Sequence, residues 1–540
     1  MTDLLASVLD YHERTKHHFQ RYAAGPGDLD WATQPDPFRT YAGSPQLPLP
    51  LLTEASAIRQ ARYVDLYAAG RIASQPLKLG SIAALLELAF GLSAWKQYGD
   101  TRWALRCNPS SGNLHPTEAY VVVHGCAGIA DGVHHYLSRD HVLEQRCGFA
   151  AAEALLPAGT FLLGLSAIHW REAWKYGERA FRYCQHDAGH AIAAARYASA
   201  ALGWQAQLLG NWGDADIAGL LGLDRAADFG TAEHEHPELM LLISTQPIPG
   251  EIDPAPLLHA AATGCWAGQA NTLSPHHGHD WPVIEEVAEA SYKPRTEVSA
   301  WQMPSLPEPI SSTCQAGAME IIKQRRSAQE FDGVTSISAA AFYRLLDMTL
   351  PREHVPPWDA IAWPPRLHLA LFVHRVEDLV PGVYLFLRND QVEAKMRAEL
   401  SGEFQWERVE GCPVHLRLFR VVAADARNAA KALSCHQGIA ADSAFSLGML
   451  AEYESALAQG PWTYRQLFWE AGILGQVLYL EAEAAGVRGT GIGCFFDDGV
   501  HDLLGIKGRW LQSLYHFTVG GALTDTRLQT LPPYAHLQRE

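Results

Sequence analysis

The chain has 540 residues, 48% of them hydrophobic and 19% charged, a globular composition long enough for two to four domains. Lys and Arg total 42 against 59 for Asp and Glu, a net charge of −17, which argues against nucleic acid or an anionic membrane as the main partner, since both need a basic face. The nine cysteines are odd in number and never form a C-x-x-C pair, so neither a disulfide framework nor a zinc site follows, and a reducing cytoplasm fits best.

Taken from the start, MTDLLASVLDYHERTKHHFQ is charged and lacks a signal-peptide core, and no later apolar run is long enough to span a bilayer. Residues 1–50 read as a lead-in whose Trp31 and Phe38 cover an apolar groove. A first body is expected over residues 51–270. Within it, Pro109-Ser110-Ser111-Gly112-Asn113 forms a turn-rich loop ahead of the strand YVVV, with hydroxyls and an amide crowded around a glycine where backbone can approach a flat ligand. GVHHYL follows as a second strand, and DAGHAIAAARYASAALG (187–203) reads as an Ala-rich helix closing on a Gly cap. His234 and His236 in TAEHEHPEL offer ligands to a metal, but a polar turn before the strand LMLLIS is the plainer reading.

Residues 271–312 are Pro-rich with little periodicity and form a linker, with one short helix at PVIEEVAEA. The linker histidines His276, His277 and His279 lack a further ligand at helical spacing, so no metal is assigned to them. A second body, residues 313–540, repeats the order of the first. ALFVH (370–374) echoes YVVVH (120–124), GVYLFL (382–387) echoes GVHHYL (132–137), and EAGILGQVLYLEAEAAG (470–486) echoes the Ala-rich helix. The order predicts an α+β fold made twice in tandem, each copy an antiparallel-leaning sheet among helices.

The two copies differ where chemistry is carried. The second has AWPPR (362–366) in place of PSSGN, while only the second has Arg325-Arg326-Ser327 at a helix end. Two guanidiniums and a hydroxyl suit a phosphate. A solvated basic helix end is the plainer reading of that triplet taken alone. One site assembled from both copies explains why each has kept a different half. No GxGxxG stretch joins a strand to a helix, so a Rossmann dinucleotide domain is not expected.

These two motifs resemble those of the nitroreductase-like FMN flavoproteins, in which an R-R-S helix end from one subunit meets a P-S-S-x-N loop from the other. The resemblance implies two nitroreductase-like domains docked as an intramolecular pseudo-dimer around FMN, with NAD(P)H as a transient co-substrate and further self-association open. It implies that Pro109, Ser110, Ser111 and Asn113 hold the ring and ribityl side, that Arg325, Arg326, Ser327 and Arg527 hold the phosphate, and that the Gly489 and Gly491 backbone faces the ring. Within the superfamily the first body is most similar to the azoline dehydrogenase branch, through SSGNLHPTEAYVV, GVHHYLSRDHVLE and WKYGERAFRYCQHDAGH. That similarity implies Lys175 and Tyr176 as the catalytic pair, one of them taking the proton that azoline oxidation releases. A snorkelling lysine at a helix entry is the alternative role. The substrate is then a small molecule or a peptide carrying an activated C–N bond. A plain NAD(P)H nitroreductase or quinone reductase, and a flavin-free binding scaffold, are the competing readings.

Overall fold

The computed structural model describes residues 4–53, 56–150 and 153–537. It opens with α1 (Leu4–Arg14), and the first sheet then runs through β1 (Thr117–Val123), β2 (Gly132–Leu137), β3 (Val142–Gly148) and β4 (Thr160–Ala167). Next come α2 (His169–Tyr176), the long α3 (Ala180–Ala201), β5 (Gln205–Leu208) and β6 (His236–Ser244). The linker carries α4 (Pro282–Ala290), spanning the predicted PVIEEVAEA, with Pro at its first turn where a missing N–H costs nothing.

The second sheet follows α5 (Ala318–Gln324) and comprises β7 (Leu367–Val373), β8 (Gly382–Leu387), β9 (Arg417–Ala423) and β10 (Phe445–Glu452). Then come the long α6 (Thr463–Ala484), β11 (Arg488–Ile492) and β12 (Leu511–Gly520). The central strand order is β3-β2-β1-β4-β6-β5 in the first sheet and β9-β8-β7-β10-β12-β11 in the second. Every pairing within these two orders is antiparallel. Even the register repeats, for Val123 faces Gly132 in one sheet as Val373 faces Gly382 in the other. Their apolar runs, YVVV and LALFV, are buried on both faces, which is why they read as continuous rather than alternating.

Helices α3 and α6 cross at the centre of the molecule, and all 22 residues of α3 are buried. Small residues permit the crossing. A Cβ on Gly189 would stand 2.2 Å from Trp469 O, and one on Gly472 would stand 2.2 Å from His186 O. The two halves also share a small sheet, in which Gln529–Leu531 pairs with the hairpin strand Leu92–Tyr98 of the first half.

The lead-in is integral to this core. In α1, His12 bonds Tyr464 Oη at 3.2 Å and Gln512 Oε1 at 3.0 Å, both in the second half. Further along, Arg39 Nε and Tyr41 Oη donate to buried Glu235 at 3.2 and 2.8 Å. Phe38 is buried with Leu92, Ala104 and Leu137, whereas Trp31 stays 65% exposed, its ring edge-on to Trp174. Among the described residues, no helix is long and apolar enough to cross a membrane.

Candidate functional site

A cavity of about 470 Å³ opens between the halves. Residues Pro109 to Asn113 line it from one side, and Arg325, Arg326 and Ser327 from the other. Gly491 and Gly493 add backbone from β11 and the turn after it, and Tyr176, Tyr183, Tyr479 and Tyr515 supply flat apolar walls. Its volume suits a mononucleotide-sized ligand.

Local bonding fixes the loop. Ser111 N and Oγ donate to Asp187 Oδ1 on α3 at 3.1 and 3.2 Å. Ser110 Oγ accepts from His115 N at 2.8 Å, and Asn113 Nδ2 donates to Ala104 O at 2.9 Å. Asn113 Oδ1 meets His115 Nε2 at 3.0 Å. The side chains expected to hold a ligand therefore spend part of their bonding capacity on the loop itself. Gly112 has φ +59°, and a Cβ there would stand 2.6 Å from Tyr176 Oη, so only a bare backbone fits between Tyr176 and the cavity.

At the other end, Arg325 is buried and donates to the carbonyls of Cys107 and Arg106, both at 3.2 Å, tying the helix end to the opposite half. Arg326 donates to the carbonyls of Lys323 and Ser93 at 2.8 and 3.1 Å. Ser327 Oγ shares a 2.8 Å hydrogen bond with Tyr479 Oη. Lys96, Arg106 and Arg488 also line the cavity, which makes five cations. Burial, reinforced by repulsion from Arg325, pushes Arg326 down to about 10. Burial, with Arg326 and Arg488 adding repulsion, lowers Lys96 as well. Glu483, 3.3 Å from Arg488, is the carboxylate beside this cluster. Five cations against Asp187, Asp525 and the nearby Glu483 leave a cationic excess that suits an anion.

Several buried polar atoms on the cavity wall have no partner within the protein, namely Asn108 Oδ1, His115 Nδ1 and His190 Nδ1. Burial holds His190 at about 3, so it is neutral at physiological pH. Behind the loop, burial raises Asp187 to about 7. Burial, and then the Asp187 charge, raise the neighbouring Glu172 as well. Tyr176 is likewise raised, first by burial and then by Glu172.

The remaining expected residues are placed differently. Arg527 does not line the cavity. Its side chain is 73% exposed and closes on Asp525 at 2.8 Å, because the turn at 525–527 directs Asp525 inward and the guanidinium outward. Arg488, extending from β11, takes the cationic position instead. Gly489 also stands outside the lining, packed so that a Cβ would meet the Phe517 ring at 2.7 Å. Lys175 lies one layer back, with Nζ 3.2 Å from the point a Gly112 Cβ would occupy and 5.4 Å from the Tyr176 ring centre.

Sequence reasoning missed Lys96, Asn108, Asp187 and Arg488. Asp187 and Asn108 carried a signal, lying in the DAGH stretch and immediately before the PSSGN loop. Among the described residues, His169, His236 and Glu285 bring potential metal-ligand atoms within 4.8 Å of one another. His236, read as part of a turn, starts β6 and stacks on His169 at 4.0 Å. His277 of the linker instead stacks on Trp170 at 3.7 Å.

Comparison with known proteins places a family on part of this frame. Residues 73–232 match the model of the nitroreductase family. A 157-residue stretch is 28% identical to the protein named "Putative nitroreductase MJ1384" of Methanocaldococcus jannaschii, covering 27% of this chain and 76% of that one. Over the whole length, the fold is similar to a crystal structure described as a "putative nitroreductase" from Anabaena variabilis. The TM-score is 0.69 at 22% identity, covering 96% of this chain and 99% of the other.

Proposed function

We propose that this chain, with a nitroreductase-family segment at residues 73–232, is an FMN-dependent oxidoreductase acting at one composite site. One observation carries the reading. The PSSGN loop of the first half and the Arg325-Arg326-Ser327 helix end of the second line a single cavity. The residues fit the cofactor, since the cation cluster matches a phosphate, the unpartnered Asn108, His115 and His190 atoms await polar partners, and the tyrosines suit a flat ring.

On this reading, residues 51–270 and 313–540 are two nitroreductase-like domains joined by the linker 271–312 and docked as an intramolecular pseudo-dimer. The repeated strand order and register support it. So does the equivalence of Asp187, which accepts from Ser111 N at 3.1 Å, and Glu470, which accepts from Arg366 N at 3.0 Å. A second cavity of about 560 Å³, lined by Trp363, Pro364, Arg366 and Thr463, stands where the repeat places a second site. It has aromatic and proline residues in place of the serines and lacks the paired arginines, so one FMN binds per chain.

Bound FMN supplies hydride acceptance and donation. Arg325, Arg326, Ser327, Arg488 and Lys96 hold its phosphate end. Pro109, Ser110, Ser111, Asn113 and the backbone at Gly491 orient the ring end. Burial and Glu172 keep Tyr176 a neutral phenol, so Oη beside Gly112 passes a proton only in concert, giving its own to an unprotonated Lys175 Nζ behind it as it takes one at the ring end. Such a base suits dehydrogenation of an azoline-like C–N bond, whereas nitro or quinone reduction from NAD(P)H makes no such demand.

Replacing Lys175 by Met separates the two. Azoline dehydrogenation should fall by roughly 10²–10⁴-fold, with FMN content and NAD(P)H-driven nitroreduction retained. Equal retention of both activities would remove Lys175 from the proton path, and a parent chain that reduces nitro or quinone acceptors but dehydrogenates no azoline belongs to the nitroreductase or quinone reductase class. A purified chain that binds no flavin when offered FMN would leave only the scaffold reading.

A further inference from the structure

The wall of this cavity contains a second pair of reactive groups that the sequence keeps far apart. Cys494, in the turn after β11, lines the cavity. Cys435, between the short helices Arg427–Leu433 and Gly438–Asp442, lies in the segment packed against it, where Phe496 N donates to Leu433 O at 2.9 Å and the His436 and Phe496 rings lie 5.4 Å apart. Both thiols are free and half-buried. The supporting frame is specific. Gln437 Nε2 donates to Cys494 O at 3.2 Å, while Arg179 Nη2 and Tyr183 Oη donate to Gly493 O at 3.3 and 3.2 Å. Cys435 and His436 are held at φ 50° and 61°, a backbone that L-residues adopt only when their surroundings impose it.

The lead-in closes over the pair. His17 N donates to Asp497 Oδ2 at 2.9 Å, and Phe19 and Tyr22 pack on Phe496 with ring centres 4.4 and 5.7 Å apart. The charged and titratable groups facing the pair are His17 and Tyr22 from the lead-in, Tyr176, Arg179 and Tyr183 from around the start of α3, and Asp497, which Arg179 Nη1 holds at 3.0 Å. The hydrogen bond from Cys435 draws the Cys494 thiol below its ordinary range, with His17 and Arg179 helping and burial opposing. The same bond pushes Cys435 up. One sulfur is thus prepared as a thiolate nucleophile and its neighbour as a resolving thiol.

We propose that Cys494 of the cavity wall and Cys435 behind it are a reversible thiol–disulfide pair, oxidised by low-molecular-weight disulfides and reduced by low-molecular-weight thiols. The Cys494 thiolate attacks one sulfur of glutathione disulfide, breaking its S–S bond and releasing one glutathione thiolate. The Cys435 sulfur then attacks Cys494 in the mixed disulfide, expelling the second glutathione, and its proton leaves with a departing thiolate. Two protein thiols are oxidised and one disulfide is reduced to two thiols. Closure replaces a thiolate at the wall by a neutral disulfide, so the pair couples the cavity to the surrounding thiol balance. The chemistry is independent of the flavin reading.

The test uses the full chain in glutathione buffers spanning reducing to oxidising ratios, quenched with iodoacetamide and digested for mass spectrometry. A Cys435–Cys494 cross-linked peptide should accumulate under oxidising ratios and vanish with dithiothreitol, while exposed Cys265 gains only a glutathione adduct. Cys435→Ser should trap a stable glutathione adduct on Cys494. In the unsubstituted chain, the pH profile of Cys494 alkylation should have its midpoint at least about one pH unit below that of Cys265. Full alkylation of both cysteines at every ratio, a persistent adduct on Cys494 of the unsubstituted chain, or a midpoint equal to that of Cys265 would overturn the proposal.

Discussion

Replacing Arg326 by Ala tests whether the cation cluster holds a phosphate, because the structure sets opposing effects for the free and bound states. In the free protein the charge is disfavoured, its pKa falling from 12.5 to about 10 through burial and repulsion by its neighbours. That shift amounts to about 3 kcal/mol against the charged form. Removing the side chain relieves this cost but gives up its bonds to the carbonyls of Lys323, Arg325 and Ser93, worth roughly 1 kcal/mol each. The two contributions offset, so the melting temperature of the ligand-free chain should move little.

With a dianion in place the balance changes, since each charge-assisted bond to it contributes about 1.5–3 kcal/mol. FMN affinity should therefore fall about 10–150-fold, while riboflavin, without the phosphate, should bind within about threefold of the parent. Calorimetric titration of cofactor-stripped protein with both ligands measures the ratio. Equal loss for FMN and riboflavin would show that Arg326 supports the fold and not the anion, and the composite-site reading would lose its charged half.

Two further outcomes follow from named contacts. Gly472→Ala places a Cβ 2.2 Å from His186 O and 2.8 Å from Gly189 Cα, and no side-chain rotation relieves a clash with backbone. Overpacking of about 1–3 kcal/mol, less about 1 kcal/mol of gained helix propensity, predicts a lower melting temperature by circular dichroism; an unchanged or raised value would refute the tight crossing. Asp187, raised to about 7 in the folded chain from 3.8, contributes stability that is complete below about pH 4 and lost as pH rises through 7. Asp187→Asn keeps an acceptor for Ser111 N and removes that loss. The variant should gain on the parent between pH 4 and 8 by up to about 4 kcal/mol, read by urea unfolding, and a gap independent of pH would count against a buried, ionising Asp187.

What the sequence disclosed depended on whether a signal was contiguous. The PSSGN loop and the Arg-Arg-Ser helix end are short words whose side chains act together, and both reach one cavity. The α4 helix was legible because Pro282 marks its first turn and Val283, Ile284 and Val287 follow at helical spacing. The doubled strand order was legible because apolar runs and Gly caps recur in the same sequence. Lys96 and Arg488 were not, since each is an isolated cation on a strand and strand register alone decides which face it joins. Arg527 stands outside the lining for a local reason, because Asp525 two residues earlier pairs with its guanidinium. Cys435 and Cys494 meet only through folding, so no spacing rule finds them.

The way α1 is held has a bearing on how the chain is made. His12 is bonded to Tyr464 and Gln512, Lys16 to Asp498, and Arg182 to both α1 and Asp497. Helix α1 therefore waits for a strand 500 residues further along before its partners exist. Until then, apolar residues such as Val8 and Tyr11, buried in the finished core, stay exposed. Contacts of such sequence separation fold slowly and leave sticky surface open meanwhile. The early chain is thus a natural client for chaperones that shield nascent segments.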